Sequence, residues 1–316
     1  MRILITGAGG FVGGTLLSQA ARLPDWDFLV FTRRFSSWSG VGRPIPLSLN
    51  LDIWSSDTNR FLTGVDVVLH LAALNATRDQ YDLTRFLKAN SDFTVKLAEA
   101  AADRGVGHFI FVSTVKVSGD RSADQPFDRY TEYSPTDAYA KSKCDAEKHL
   151  FQLASQSSMK ISIVRPPPIV GRGVKGNVRS LANAILNGIP LPFGALRLNR
   201  RSFIGALDFS DLLFRIILSP TSGLGPYLAQ SGSPLSTATF IESLARGLGK
   251  AVRMPAIPPR LLQAGFTAVG ARDAFARLSS NLELDDNDTR YEMSWEPKFG
   301  LDQEFAEIGK ELSMRT

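Results

Sequence analysis

Short apolar runs of strand length alternate through the first half of the chain with longer stretches of helical period. Residues 2–6 (RILIT), 28–32, 45–51, 65–71 (VDVVLHL), 108–113 and 160–165 read as strands. The run at 65–71 is apolar at nearly every position, which predicts a strand in a sheet covered on both faces. Residues 11–22, 83–104 and 137–155 carry helical patterning between them. Strands spaced by helices of this length predict parallel βαβ units with right-handed crossovers, and so an α/β Rossmann-type doubly wound parallel sheet.

After Arg165 the rhythm changes. Pro166, Pro167 and Pro168 end the last strand, and glycines and prolines, among them Pro190 and Pro192, punctuate the chain as far as Arg201. Further helices are expected at 177–187, 208–218, 236–247 and 259–278, and from residue 302. The expected organisation is a nucleotide-binding sheet over 1–165, with return segments around 203–230, and a smaller, mostly helical substrate domain over 166–316.

Composition narrows the classes. A chain of 316 residues that is 44% hydrophobic can fill a sizeable core, which excludes disorder as its main state. The single cysteine, Cys144, makes no internal bridge and rules out a Cys-rich zinc module. His70, His108 and His149 lack partners at metal-ligand spacing, so no metal is expected. The formal net charge of +5 would suit a nucleic-acid partner. Against that, Lys and Arg never run beyond two in succession, and the tryptophans are dispersed at 26, 38, 54 and 295. No apolar run approaches the roughly 18 residues of a spanning helix. Glycines from position 7 onward interrupt the apolar start before it resembles an export signal. The expectation is a soluble cytoplasmic protein with neither nucleic-acid nor membrane partner.

The surplus positive charge then suits small anionic ligands. Gly7, Gly10 and Gly13 form G-x-x-G-x-x-G directly after the first strand and at the start of a helix. Tight turning, close backbone approach and N–H groups aimed from a helix N-terminus are what a pyrophosphate needs. The dinucleotide fingerprint expects a carboxylate about 20 residues further on. Here the second strand ends in Thr32, Arg33 and Arg34. Guanidinium groups there attract a 2′-phosphate, which favours NADP over NAD; a solvated basic loop is the alternative. Tyr139 and Lys143 stand at i and i+4, on one helix face. A lysine ammonium and a positive nicotinamide would favour the phenolate of a tyrosine whose ordinary pKa is near 10. Thr114 closes the strand expected beside that helix and could bond the same substrate oxygen.

With these residues in place the chain resembles the extended short-chain dehydrogenase/reductase family, in particular its nucleotide-sugar epimerases and reductases. The resemblance runs through TGAGGFVG (6–13), HLAA (70–73), Asn90, FVSTVKVSG (111–119), YAKSK (139–143) and RPPPIVG (165–171). It implies Thr114, Tyr139 and Lys143 as the catalytic hydroxyl, acid/base and partner lysine. For the cofactor it implies Gly7, Gly10, Phe11, Val12 and Gly13, with Asp52 and Ile53 bracketing adenine, Leu71, Ala72 and Ala73 over the cofactor, and Asn90 and Pro166. For a UDP-sugar it implies Asn75, Lys116, Asn177 before the diphosphate, Pro192 and Phe193 around uracil, and Arg201 on the diphosphate. Lys116 points toward substrate if its strand continues, and otherwise is a solvated lysine. Phe193 reads equally well as core. A homodimer built on the helices at 83–104 and 137–155 is a further implication of the resemblance.

Departures from the family pattern shape the functional expectation. Val117-Ser118-Gly119 stands where V-Y-G is common. Asn75 and Pro168 replace the lysine and asparagine usual in galactose-type 4-epimerases. A second diphosphate arginine is not located near Arg272. The leading expectation is an NADPH-dependent reduction at carbon 4 of a UDP-linked 4-keto sugar for surface-polysaccharide biosynthesis. The alternatives are an NAD-dependent UDP-sugar 4-epimerase and a non-catalytic cofactor-binding sensor.

Overall fold

The computed structural model describes residues 1–20, 25–32, 41–46, 60–75, 82–219, 223 and 225–314. Its strands are β1 (Arg2–Thr6), β2 (Asp27–Thr32), β3 (Arg43–Pro46), β4 (Val67–His70), β5 (His108–Val112), β6 (Lys160–Arg165), β7 (Ile169–Val170), β8 (Ile204–Gly205) and β9 (Tyr227–Leu228). Among the described residues, seven of them form one parallel sheet in the order β3-β2-β1-β4-β5-β6-β9, while β7 and β8 pair separately. The order reverses between β1 and β4, so a crevice opens at their carboxyl ends.

Period-two alternation fills both faces of the sheet. Ile3 and Ile5 of β1 join one apolar cluster, and Leu4 between them joins the other. On the first face, α1 (Phe11–Ala20) contributes Leu16 and Leu17. On the second, a helical stretch made of α2 (Leu83–Phe86), a π turn (Leu87–Asp92) and α3 (Phe93–Asp103) packs beside α4 (Ala138–Gln156), burying Phe93, Leu97, Ala146 and Leu150. Each such fully buried aliphatic or aromatic side chain contributes about 1.5–3 kcal/mol relative to exposure.

The later helices are α5 (Gly176–Leu186), α6 (Ala206–Leu218), α7 (Thr237–Gly247), α8 (Pro259–Ala268), α9 (Arg272–Ser279), α10 (Asn287–Met293) and α11 (Gly300–Ser313). Of these, α6 returns to the first face of the sheet through Phe209, Leu212 and Leu213. A third apolar cluster gathers Ile185, Phe193, Phe240, Leu262, Phe275 and Phe305 from the others.

Three expectations are corrected. The third strand runs at Arg43–Pro46 rather than 45–51, and residues 47–51 lie outside the described residues. The helix at 83–104 widens into the π turn, which brings the consecutive polar residues Asn90 and Ser91 inside. The helix expected over 259–278 is two helices, because Gly270 adopts φ +72° and closes the first in a left-handed cap, with Ala271 N–H donating to Phe266 O at 2.7 Å. The short polar α10 has too little apolar periodicity to announce itself.

Buried carboxylates tie α11 to this frame. Asp208 accepts the backbone N–H groups of Lys298, Phe299 and Gly300 at 2.8, 2.9 and 3.1 Å and the Ser231 hydroxyl at 2.6 Å. Glu304 accepts Leu207 N–H at 2.5 Å and lies against Gly171 and Gly205, where a Cβ would meet its side chain at 2.5 and 2.8 Å.

Burial pushes the Glu304 carboxyl up to about 7, opposed by the Leu207 N–H and reinforced by Asp208 and Glu307. The folded state therefore binds the proton more tightly than the unfolded chain, and stability falls as pH rises from 4.5 to about 7. Glu304→Gln carries no such proton. In urea melts between pH 5 and 8, the native protein is expected to lose on the order of 3 kcal/mol more than Glu304→Gln. Equal pH slopes would contradict the assignment.

Candidate active site

The crevice between β1 and β4 is floored by the glycine turn. The chain leaves Thr6 through Gly7 at φ +76°, and Gly10 N–H donates to Gly7 O at 2.9 Å as α1 begins. A Cβ on Gly7 would stand 2.6 Å from Ala72 N, and one on Gly13 would stand 2.5 Å from Gly7 O. Backbone thus takes up the space that any side chain would fill, and the amino end of α1, with no acidic residue in its first turn, faces the crevice. This cradle fits a dinucleotide pyrophosphate. Phe11 and Val12 are half-buried in the first turn of α1, and Leu71, Ala72 and Ala73 are half-buried beyond β4. Pro166 O accepts Val115 N–H at 3.0 Å. Thr32 ends β2, while Arg33, Arg34, Asp52 and Ile53 lie outside the described residues.

A buried polar chain leads from this turn to the tyrosine. Ala72 N–H donates to Thr6 Oγ1 at 3.2 Å, Thr6 Oγ1 meets His70 Nδ1 at 2.6 Å, His70 Nε2 meets Thr94 Oγ1 at 2.9 Å, and Thr94 Oγ1 donates to Asn90 O at 2.6 Å. A carbonyl can only accept, so the direction of every bond follows: His70 carries its proton on Nε2 and accepts at Nδ1. Burial, then Lys143, holds His70 well below its ordinary pKa, which keeps that neutral tautomer. The Asn90 side chain continues the path. Its Oδ1 accepts Leu74 N–H at 2.7 Å, and its Nδ2 donates to Leu74 O at 3.1 Å and to Ser142 Oγ at 3.0 Å. Ser142 Oγ in turn donates to Tyr139 O at 2.7 Å. Asn90, a cofactor residue by resemblance, is here the joint between the strand end and the tyrosine helix.

Asp137 caps α4 by accepting Ala140 N–H at 2.7 Å, which starts the helix at Ala138, one residue before Tyr139. The Tyr139 ring meets Phe86 edge-on at 6.4 Å. Lys143, 1% exposed, donates Nζ to Val112 O at 2.8 Å and stands 4.3 Å from the Phe111 ring centre. Burial pushes its ammonium down to about 7, with Glu147 pulling upward. Burial, then Asp137, holds the Tyr139 phenol above its ordinary 10. The expected phenolate is therefore not favoured by the protein alone; burial and the Asp137 carboxylate both favour the neutral phenol. Thr114 ends the chain segment after β5 in extended conformation, nearly buried, with Oγ1 accepting Lys116 N–H at 3.3 Å.

Other expectations change. The strand does not continue through Lys116: residues Val115–Val117 form a 3-10 turn, and the Lys116 ammonium pairs with Asp137 and with Asp120. Phe193 enters the third apolar cluster, 6.2 Å from Phe266, which is the core reading; Pro192 beside it is half-buried. Asn177 is exposed in the first turn of α5, and Asn75 is exposed at the end of its described segment. Arg201 donates Nη1 to Ser280 O at 3.1 Å and lies close enough to Arg277 to feel its charge. Burial chiefly, opposed by Asp120 and aided by Arg277, lowers its guanidinium to about 10. Arg277 was missed because a single helix over 259–278 hides it; the left-handed Gly270 turns α9 so that Arg277 approaches Arg201. Gly270 was the readable signal.

Among the described residues no group of three or more His, Cys, Asp or Glu is placed to hold a metal ion, and no helix is long and apolar enough to cross a membrane.

The profile of the NAD dependent epimerase/dehydratase family matches residues 3–227. A UDP-glucose 4-epimerase of Vibrio cholerae is 33% identical over 314 residues, covering 98% of this chain and 94% of its own. A UDP-2-acetamido-2,6-beta-L-arabino-hexul-4-ose reductase of Pseudomonas aeruginosa is 26% identical over 228 residues, 71% of this chain and 50% of its own. Among solved structures, a UDP-glucuronic acid 4-epimerase from Bacillus cereus in complex with UDP-glucuronic acid and NAD superposes with a TM-score of 0.79 at 17% identity, with 100% of both chains covered.

The glycine geometry generates a direct test. Gly13→Ala places a methyl group against backbone and is expected to weaken NAD binding at least tenfold, about 1.4 kcal/mol, in isothermal titration. Unchanged affinity would contradict the cradle.

Proposed function

The chain belongs to the NAD-dependent epimerase/dehydratase family and is an NAD-dependent enzyme of the extended short-chain dehydrogenase/reductase type; from that premise we propose that it epimerises a UDP-hexose at carbon 4. The carrying observation is the 33% identity with a UDP-glucose 4-epimerase along 98% of the chain, with Tyr139 and Lys143 both present one turn apart on α4. Reduction of a 4-keto UDP-sugar is the second reading, favoured by the reductase relative and by Arg33 and Arg34, which would select NADP. Epimerisation ranks first because the reductase matches less of this chain and only half of its own length.

NAD, when bound, supplies a hydride acceptor and donor at the sugar. Gly7, Gly10 and Gly13 would hold its pyrophosphate, Leu71–Ala73 would lie over it, and Lys143 would face its ribose. Tyr139 takes the proton of the carbon 4 hydroxyl as that carbon is oxidised, and returns the same proton when the opposite face is reduced. Because the buried phenol is held above its ordinary pKa, it needs positive charge nearby in order to accept that role. Lys143 provides it from within the protein. Thr114 steadies the same oxygen.

The UDP end is assigned to residues 166–316, apart from the segments that return to the sheet. Arg201 feels the charge of Arg277 there, with Asp120 opposing it, and two neighbouring guanidinium groups suit a diphosphate, which supports placing it beside them. Asn177, in the first turn of α5, would approach the same phosphates. A homodimer through α3 and α4 belongs to the same proposal. Phe86, Phe93 and Leu150 are buried within the single chain, so the dimer would use the half-buried Phe151 and Leu153.

Tyr139→Phe is expected to lower turnover at least a hundredfold while leaving NAD affinity unaltered; full activity in that variant would refute the role. Arg277→Ala removes a charge-assisted phosphate contact and is expected to weaken UDP binding about tenfold or more without affecting NAD. If UDP affinity is unchanged, the diphosphate lies elsewhere.

A further inference from the structure

Lys143 has a charged neighbour that the reaction as described does not use. One turn further along α4, Glu147 is completely buried, and its carboxylate accepts from three donors: Arg165 Nε–H, shared between both oxygens at 3.2 and 3.1 Å, Arg165 Nη2 at 2.6 Å, and Tyr133 Oη at 2.8 Å. The Arg165 guanidinium also lies over the Tyr133 ring at 4.9 Å. Arg165 ends β6, and the residue before it, Val164, is in register with Val112, whose carbonyl receives the Lys143 ammonium. Paired strands lie about 4.8 Å apart. The ammonium and the carboxylate–guanidinium pair are thus gathered at two adjoining strand ends beneath one helix face.

Two cations and one anion sharing a dry site form an unbalanced set. An isolated buried ammonium would shed its proton. Arg165 keeps its charge under all ordinary conditions. The other described groups facing the lysine offer no compensation. His70, behind the Phe111 ring, is neutral, and Tyr139 and Tyr133 are un-ionised phenols. From the π turn, Asn90 is uncharged and Ser91 is bonded to Asp145; from the 3-10 turn, Lys116 is already paired with Asp137 and Asp120. Glu147 is the carboxylate that pulls on the ammonium. Arg165 and Tyr133 together hold that carboxylate in place.

We propose that Glu147 is a positioning residue for proton transfer at Tyr139: clamped by Arg165 and Tyr133, its carboxylate keeps Lys143 in the ammonium form. The proposal rests on the reading of Tyr139 and Lys143 given above. It also gives the Arg165–Glu147 pair a use beyond holding β6 against α4, because Glu147 stands one helical turn from Lys143 on the same helix and is the member of the pair that acts on it.

The competing account is that Glu147 merely neutralises Arg165. Glu147→Gln alone leaves a buried guanidinium unpaired and can fail to fold, so the decisive variant is Glu147→Gln/Arg165→Met, which removes both charges. The readout is the Lys143 Cε resonance in the full chain labelled with [13C]lysine, assigned by its loss in Lys143→Met and titrated by NMR without substrate. Lys143 in the double variant is expected to lose its proton at a pH lower by about half a unit or more, a threefold or larger change in the protonation equilibrium. A shift smaller than that overturns the proposal. Turnover of UDP-hexoses by the wild-type protein is measured separately. An inactive wild type with a shifted lysine titration would sink the functional reading and leave the coupling standing. An active wild type with an unshifted titration would do the reverse.

Discussion

The site depends on one buried chain of hydrogen bonds that runs in a single direction from Ala72 through Thr6, His70 and Thr94 to Asn90, whose side chain continues the path to Ser142 and Tyr139. It joins the end of β1, the end of β4, the π turn and the tyrosine helix, which are the four elements around the crevice. In a low-dielectric interior each link must be made, because an orphaned donor or acceptor costs on the order of 1–3 kcal/mol. The chain therefore fixes more than geometry. It specifies the tautomer of His70, excludes a charge there, and holds the backbone of Tyr139 at a set distance from the glycine turn. The π turn is what makes the link possible, since it presents Asn90 and Ser91 together to α4.

Around that neutral scaffold the charges are few and buried. Lys143 sits against an aromatic face and a carbonyl, and burial weakens its hold on a proton. The same burial raises the Tyr139 phenol. Desolvation pushes both groups toward their neutral forms, so the pair can exchange a proton with an alcohol only if ligand or protein charge restores the ammonium. In the proposed mechanism the anions and cations just behind the pair, rather than the pair alone, would therefore set its reactivity. At the far end the logic is inverted: burial and the neighbouring Arg277 both weaken the hold of Arg201 on its proton, opposed by Asp120, and the proposed diphosphate would relieve that strain.

Much of this was legible in the sequence. The strands of the sheet follow from apolar runs, and the glycine turn and the Tyr139–Lys143 spacing are local patterns whose chemistry is set by a few adjacent residues. What could not be read were long-range placements. Lys116 depends on whether a strand continues or turns, and the 3-10 turn sends it to Asp137 and Asp120. Arg277 depends on a helix break at Gly270 that apolar periodicity runs straight across. Phe193 looks identical as ligand platform or as core until its neighbours are known. His70 sits in an apolar strand, and only the fold reveals that threonines from β1 and α3 satisfy both ring nitrogens.

The proposed epimerisation requires a hydride that leaves carbon 4 and returns to the same carbon without meeting solvent. The most direct measurement incubates the pure protein with UDP-glucose, UDP-N-acetylglucosamine or UDP-glucuronic acid and catalytic NAD in deuterated water, and follows the sugar by NMR. The predicted result is formation of the carbon 4 epimer of at least one of these, with no deuterium at carbon 4 and no net change in NAD. Deuterium at carbon 4, or product formed only as NADPH is consumed in equal amount, would contradict it.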